Sequence, residues 1–82
     1  MITWKRETVH EIDFDYSVYT CEINDKRAEI RCLDGGTGSK EYGADLLLEK
    51  KISKNNWDVI TDREWFETHT QARKVAETWL TE

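Results

Sequence analysis

The 82 residues predict an α+β domain, an antiparallel β-sheet of four to six strands with a single C-terminal α-helix packed on one face. Three observations carry that prediction. Apolar and polar residues alternate with period two between Ile12 and Cys32, the signature of half-buried strands. The polar clusters Asn24-Asp25-Lys26-Arg27 and Ser53-Lys54-Asn55-Asn56 interrupt the apolar stretches as hairpin turns do. From Ala72 onward the apolar spacing becomes that of a helix, and a chain of this length accommodates one core and one domain.

The N-terminal piece, Ile2 to His10, alternates poorly and reads as an exposed edge strand. Ile12, Phe14, Tyr16 and Val18 then alternate with Asp13, Asp15 and Ser17, which places the first set on the core. Beyond Val18 the apolar set changes parity to Tyr19, Cys21 and Ile23. A bulge near Val18 would cause this, because one extra residue re-aims every side chain after it. Ala28, Ile30 and Cys32 supply the second strand of a hairpin. A two-residue loop at Asp25-Lys26 opposes Ile23 to Ala28, Cys21 to Ile30 and Tyr19 to Cys32, at the expense of setting Glu22 against Glu29. A shift of one residue in each strand would instead oppose Cys21 to Cys32 and Glu22 to Arg31, but leaves Lys26-Arg27 as a poor tight turn; the first register is preferred. Either register puts both thiols on the apolar face, where they read as buried cysteines, since two supply too few ligands for structural zinc.

Leu33 to Gly43 holds all four glycines of a chain without proline. A nucleotide loop needs Lys followed by Ser or Thr, because the hydroxyl must reach magnesium at a helix start. Here Gly38-Ser39-Lys40 is followed by Glu41, so the order is reversed, and Glu41 also occupies the place of the third glycine of a dinucleotide fingerprint. The segment therefore reads as a flexible hairpin loop and, at Ser39, Lys40 and Glu41, as a contact element. Ala44 to Ile52 reads as a strand joined through Ser53 to Asn56 to Trp57-Asp58-Val59-Ile60, with Ile52 opposite Val59. A helix starting at Ser39 is the alternative, weakened by Gly43 in its first turns. Thr61 to Glu64 reads as a turn and Trp65-Phe66 as a short edge strand, with a helical turn competing. Thr68-His69-Thr70-Gln71 has the form of a capping box. Ala72, Val75, Ala76, Trp79 and Leu80 follow as one apolar stripe, and both Trp79 and Trp57 are expected in the core.

Twelve Lys and Arg against seventeen Asp and Glu leave a formal net charge of −5. Such a balance disfavours duplex nucleic acid or an anionic membrane as partner and suits a basic protein surface. The residues after Met1 show neither a signal peptide nor a membrane span, so a cytoplasmic location is expected. If Ile12 and Phe14 face the core, Glu11, Asp13 and Asp15 share the outer face at spacings of roughly 6–7 Å. They form a solvated face or an acidic docking row rather than a metal loop, which would need further oxygen ligands. His10 and His69 are isolated, no nucleophile has a base at recognisable spacing, and so neither an enzyme nor a cofactor is expected. Trp4 and Trp65 lie in weakly patterned segments and are candidate exposed anchors. The arrangement of Trp57, Trp65-Phe66, Thr68, Ala72, Ala76 and Trp79-Leu80 looks like that of small sheet-plus-terminal-helix proteins encoded by phages and mobile elements, without a diagnostic motif. The expected function is that of a small, acidic, non-enzymatic protein-binding module. It would inhibit a nucleic-acid-handling host complex by imitating nucleic-acid charge towards a basic protein surface, in the manner of anti-CRISPR proteins, as a monomer or homodimer. A structural subunit that self-associates through an edge strand is the alternative.

Overall fold

The structure, a computed structural model, describes residues 2–12, 15–33 and 43–82. Strands β1 (Lys5–His10), β2 (Asp15–Ile23), β3 (Lys26–Leu33), β4 (Ala44–Ser53) and β5 (Asn56–Phe66) form one antiparallel sheet in chain order, and helix α1 (His69–Leu80) packs on one face. The sheet is a plain meander, so each strand pairs with its sequence neighbour and β1 and β5 are the two edges.

The β2–β3 hairpin turns at Asn24-Asp25, which pairs Ile23 with Lys26, Cys21 with Ala28, Tyr19 with Ile30 and Ser17 with Cys32. Both registers expected from the sequence are therefore displaced. Asn24 sits at φ 55, a left-handed conformation that Asn tolerates well, and the turn, displaced by one residue, brings Glu22 opposite Arg27 instead of Glu29. Cys21 is now four positions along β2 from Ser17, the residue facing Cys32, about 13 Å at a rise of ~3.3 Å per residue, which is beyond the reach of a disulfide. Neither cysteine is in a disulfide and both are buried.

β2 begins at Asp15 rather than Ile12, and Ile12 is fully exposed at 100%. Asp13 and Phe14 lie outside the described residues. The pairing of β2 with both neighbours runs unbroken through Val18, so no bulge lies there. Ser17, Tyr19, Cys21 and Ile23 share the helix-facing side, and Tyr16 and Val18 point the other way.

β4 is extended throughout, which removes the helical alternative for the part of 39–51 that is described, from residue 43 on. The β4–β5 loop is Lys54-Asn55, with Ser53 opposite Asn56, and Val59 faces Glu49 rather than Ile52. β5 continues through Thr61 to Glu64 where a turn was expected. Register shifts near Leu48, and Arg63 at φ 54, absorb the extra residues.

The core lies between the sheet and α1. Ala28, Ile30 and Cys32 of β3 and Ala44, Leu46 and Leu48 of β4 meet Ala72, Ala76 and Leu80 of the helix. Two alanines on the contact stripe let the helix backbone approach the central strands closely, while Trp4, Tyr19, Phe66 and Trp79 seal the margin. Thr68 caps the helix, its Oγ1 accepting a hydrogen bond from the Gln71 backbone N–H at 3.2 Å.

Candidate protein-binding surfaces

The two flanks of α1 differ. Arg73 and Glu77, one turn apart, face β1. There the Trp4 indole Nε1–H donates to Glu77 Oε2 at 2.8 Å, and the Arg73 guanidinium lies 5.6 Å from the Trp4 ring centre. Trp4 is thereby engaged within the fold, half-buried against the core, rather than held out as an anchor. Farther along, Tyr19 stacks on His69 with ring centres 4.2 Å apart, and Arg6 donates to the fully buried Ser17 hydroxyl at 3.2 Å.

Glu11 is exposed beyond the end of β1, whereas Asp15 opens β2 and shares a 3.0 Å hydrogen bond with His10 Nδ1. A row of three carboxylates along one strand therefore does not form, because β2 starts too late to include Glu11. Asp13, Ser39, Lys40 and Glu41 lie outside the described residues.

The opposite flank of α1 carries Val75 and Trp79, and Lys26 of β3 lies 5.1 Å from the Trp79 ring centre. With Leu48 of β4 beneath, and Lys74, Thr78 and Glu82 at the rim, Val75 and Trp79 line a groove of about 410 Å³. The register places Asp58 and Glu64 of β5 on this side of the sheet, opposite Lys50 and Leu46. Asp58, Asp62, Glu64 and the following Glu67 are all exposed. Among the described residues none of these four carboxylates has an ion pair; the pairs formed are Arg27–Glu49, Arg31–Asp45, Arg63–Glu29, Arg73–Glu77 and His10–Asp15. Among the described residues, four exposed carboxylates without an ion pair thus follow one another along β5 and just beyond it, and two of them, Asp58 and Glu64, lie on the side of the groove. The sequence reading missed this cluster by taking 61–64 for a turn; the density of carboxylates in DVITDREWFE was the available signal.

The face of the sheet away from α1 is uncovered and built differently. On it Arg27 donates through Nε and Nη2 to Glu49 Oε1 at 3.0 and 2.8 Å, Arg31 to Asp45 at 3.1 Å, and Arg63 to Glu29. Trp57 lies here as well, outside the core, with the Arg27 guanidinium 4.2 Å above its ring. Trp65 lies against Gly43 at the other end of β5 and is 60% exposed.

Among the described residues no group of His, Cys, Asp and Glu could hold a metal ion, and burial pushes the Cys21 thiol up, with the Glu77 carboxylate adding to the shift. A buried neutral thiol is a poor nucleophile. The fold and these surfaces define a two-layer α+β protein in which a five-strand antiparallel meander is covered on one side by one helix. The chain matches no known protein family, no curated protein and no solved structure.

Proposed function

We propose that the protein is a non-enzymatic binding module that docks onto a basic protein surface through β5 and the adjoining groove. The observation that carries this reading is the separation of charge. Arg27, Arg31 and Arg63 on the uncovered face are each matched by a carboxylate, while the exposed Asp58 and Glu64 share the helix side of the sheet with the apolar surface of Leu48, Val75 and Trp79, and neither they nor Asp62 and Glu67 form an ion pair among the described residues. Apolar contacts would supply affinity, and the carboxylates would steer and orient a Lys- and Arg-rich partner. A basic surface that receives acidic groups in this way is the kind that otherwise holds phosphates, so the module acts as an inhibitor of a nucleic-acid-handling complex. A cytoplasmic setting goes with that role; among the described residues no helix is long and apolar enough to cross a membrane.

The test is capture of partners on the immobilised protein at about 0.05 M and about 0.5 M salt, across which exposed charges become strongly screened. Captured complexes should come off at high salt, should not be captured by a variant with Asp58, Asp62, Glu64 and Glu67 all changed to Asn or Gln, and should lose their own nucleic-acid binding when the wild-type protein is added. Capture that is indifferent both to salt and to these substitutions refutes the reading.

A further inference from the structure

The uncovered sheet face carries a second surface, independent of the acidic groove. By register, Lys5, Arg27, Arg31, Lys51 and Arg63 project from it. So do Glu7, Glu22, Glu29, Asp45 and Glu49. Among the described residues these are five positive and five negative groups, although the whole chain carries −5. The charges sit among half-buried Val18, Leu47 and Trp57 and the exposed Val59 and Trp65.

We propose that a second copy of this chain packs on this face, sheet against sheet. Two considerations select that occupant. The first is charge. Elsewhere two copies meet with an acidic excess on both sides, whereas here each copy offers neutral, alternating charge that a symmetry mate can match, because an interface between identical patches must be complementary to itself. A nucleic acid would gain little, since the three guanidiniums are already bound to carboxylates. The second is area. Five strands about 4.8 Å apart and about eight residues long present roughly 600 Å² per copy, or some 1,200 Å² in total, the lower end of the range for stable interfaces. Trp65 and Trp57 would anchor the contact along β5, and the acidic groove on the helix side would stay open in both copies.

Light scattering across a concentration series reads this directly. The wild-type protein should move from the 9.7 kDa chain towards twice that mass as concentration rises. Arg31→Glu gives the face a net negative charge on both copies, and Trp65→Ser removes an anchor. Each should raise the dissociation constant by about tenfold or more while leaving the circular dichroism of the monomer unchanged. The exchange variant Arg31→Asp with Asp45→Arg keeps the balance and should restore association. A wild-type chain that stays monomeric at millimolar concentration overturns the proposal. So does a dimer insensitive to both Arg31→Glu and Trp65→Ser, or a dimer displaced by a single-stranded oligonucleotide that binds the same face. Partner capture through the groove should survive Arg31→Glu, which keeps the two readings separable.

Discussion

At Gly43 the backbone adopts φ +107, and an added Cβ would stand 2.5 Å from Trp65 Nε1. Gly43→Ala therefore meets two penalties, a left-handed backbone strained by any side chain and a clash with an indole. Its expected cost is about 2–4 kcal/mol, read as a lowered urea midpoint. Placing Trp65→Ala in the same chain should recover the clash and leave the strain, so the double variant should be more stable than the sum of the two single changes implies. Cys21 makes a pH-dependent contribution. Burial first, and the Glu77 carboxylate second, push its thiol above the ordinary value of 9.0. With the folded value raised, the stabilisation from the neutral thiol is intact below the unfolded value and is lost as the pH rises through the folded one. Unfolding midpoints measured upward from pH 8 should fall more steeply for the wild-type chain than for Cys21→Ala. At neutral pH, Cys21 should react with a thiol reagent only as fast as the protein opens.

At the scale of the elements, the helix was the most legible part of the chain. Thr68 and the Ala72–Ala76–Leu80 spacing state its start and its buried stripe without reference to anything distant, and the strands around Tyr19–Ile23 and Ala28–Cys32 declare themselves by alternation. Register was not legible to the same degree, because it rests on backbone conformations that side-chain pattern does not report. Asn24 entering the left-handed region moved the β2–β3 turn by one residue. The irregularities around Leu48 and Arg63 decide which β5 side chains face the helix. That is why Trp57, apolar and at a strand start, reads as core and yet lies under Arg27 on the open face. It is also why Asp58 and Glu64, which help to define the candidate site, escape a reading based on period two. The helix–sheet contact itself yields a test. Ala76 is wholly buried against the central strands, and the closeness of that contact depends on its size. Ala76→Leu should overpack it and cost about 1–3 kcal/mol, whereas Val75→Leu on the groove flank, at 41% exposure, should be nearly neutral.

Across the whole molecule, the sheet buries one face and leaves the other open, so stability and association are carried by different sides. A domain of 82 residues has a total stability of about 4–12 kcal/mol at ~0.05–0.15 kcal/mol per residue. Among the described residues the buried apolar cluster lies between the sheet and α1. Leu80, 3% exposed at the last turn of the helix, closes that layer, and Leu80→Ala should cost about 2–4 kcal/mol, a large share of the total. Val59 faces the other way at 49% exposure, and Val59→Ala should cost under about 1 kcal/mol when unfolding is followed in dilute solution. The contrast should narrow with concentration. If two open faces meet, Val59 becomes buried between copies, and the denaturation midpoint of the wild-type protein should climb with concentration while that of Val59→Ala climbs less. A midpoint independent of concentration for both chains would leave the open face a solvated surface whose ion pairs serve the single sheet alone. In that case, among the described residues, the acidic β5 side would remain the surface through which the molecule is proposed to meet another protein.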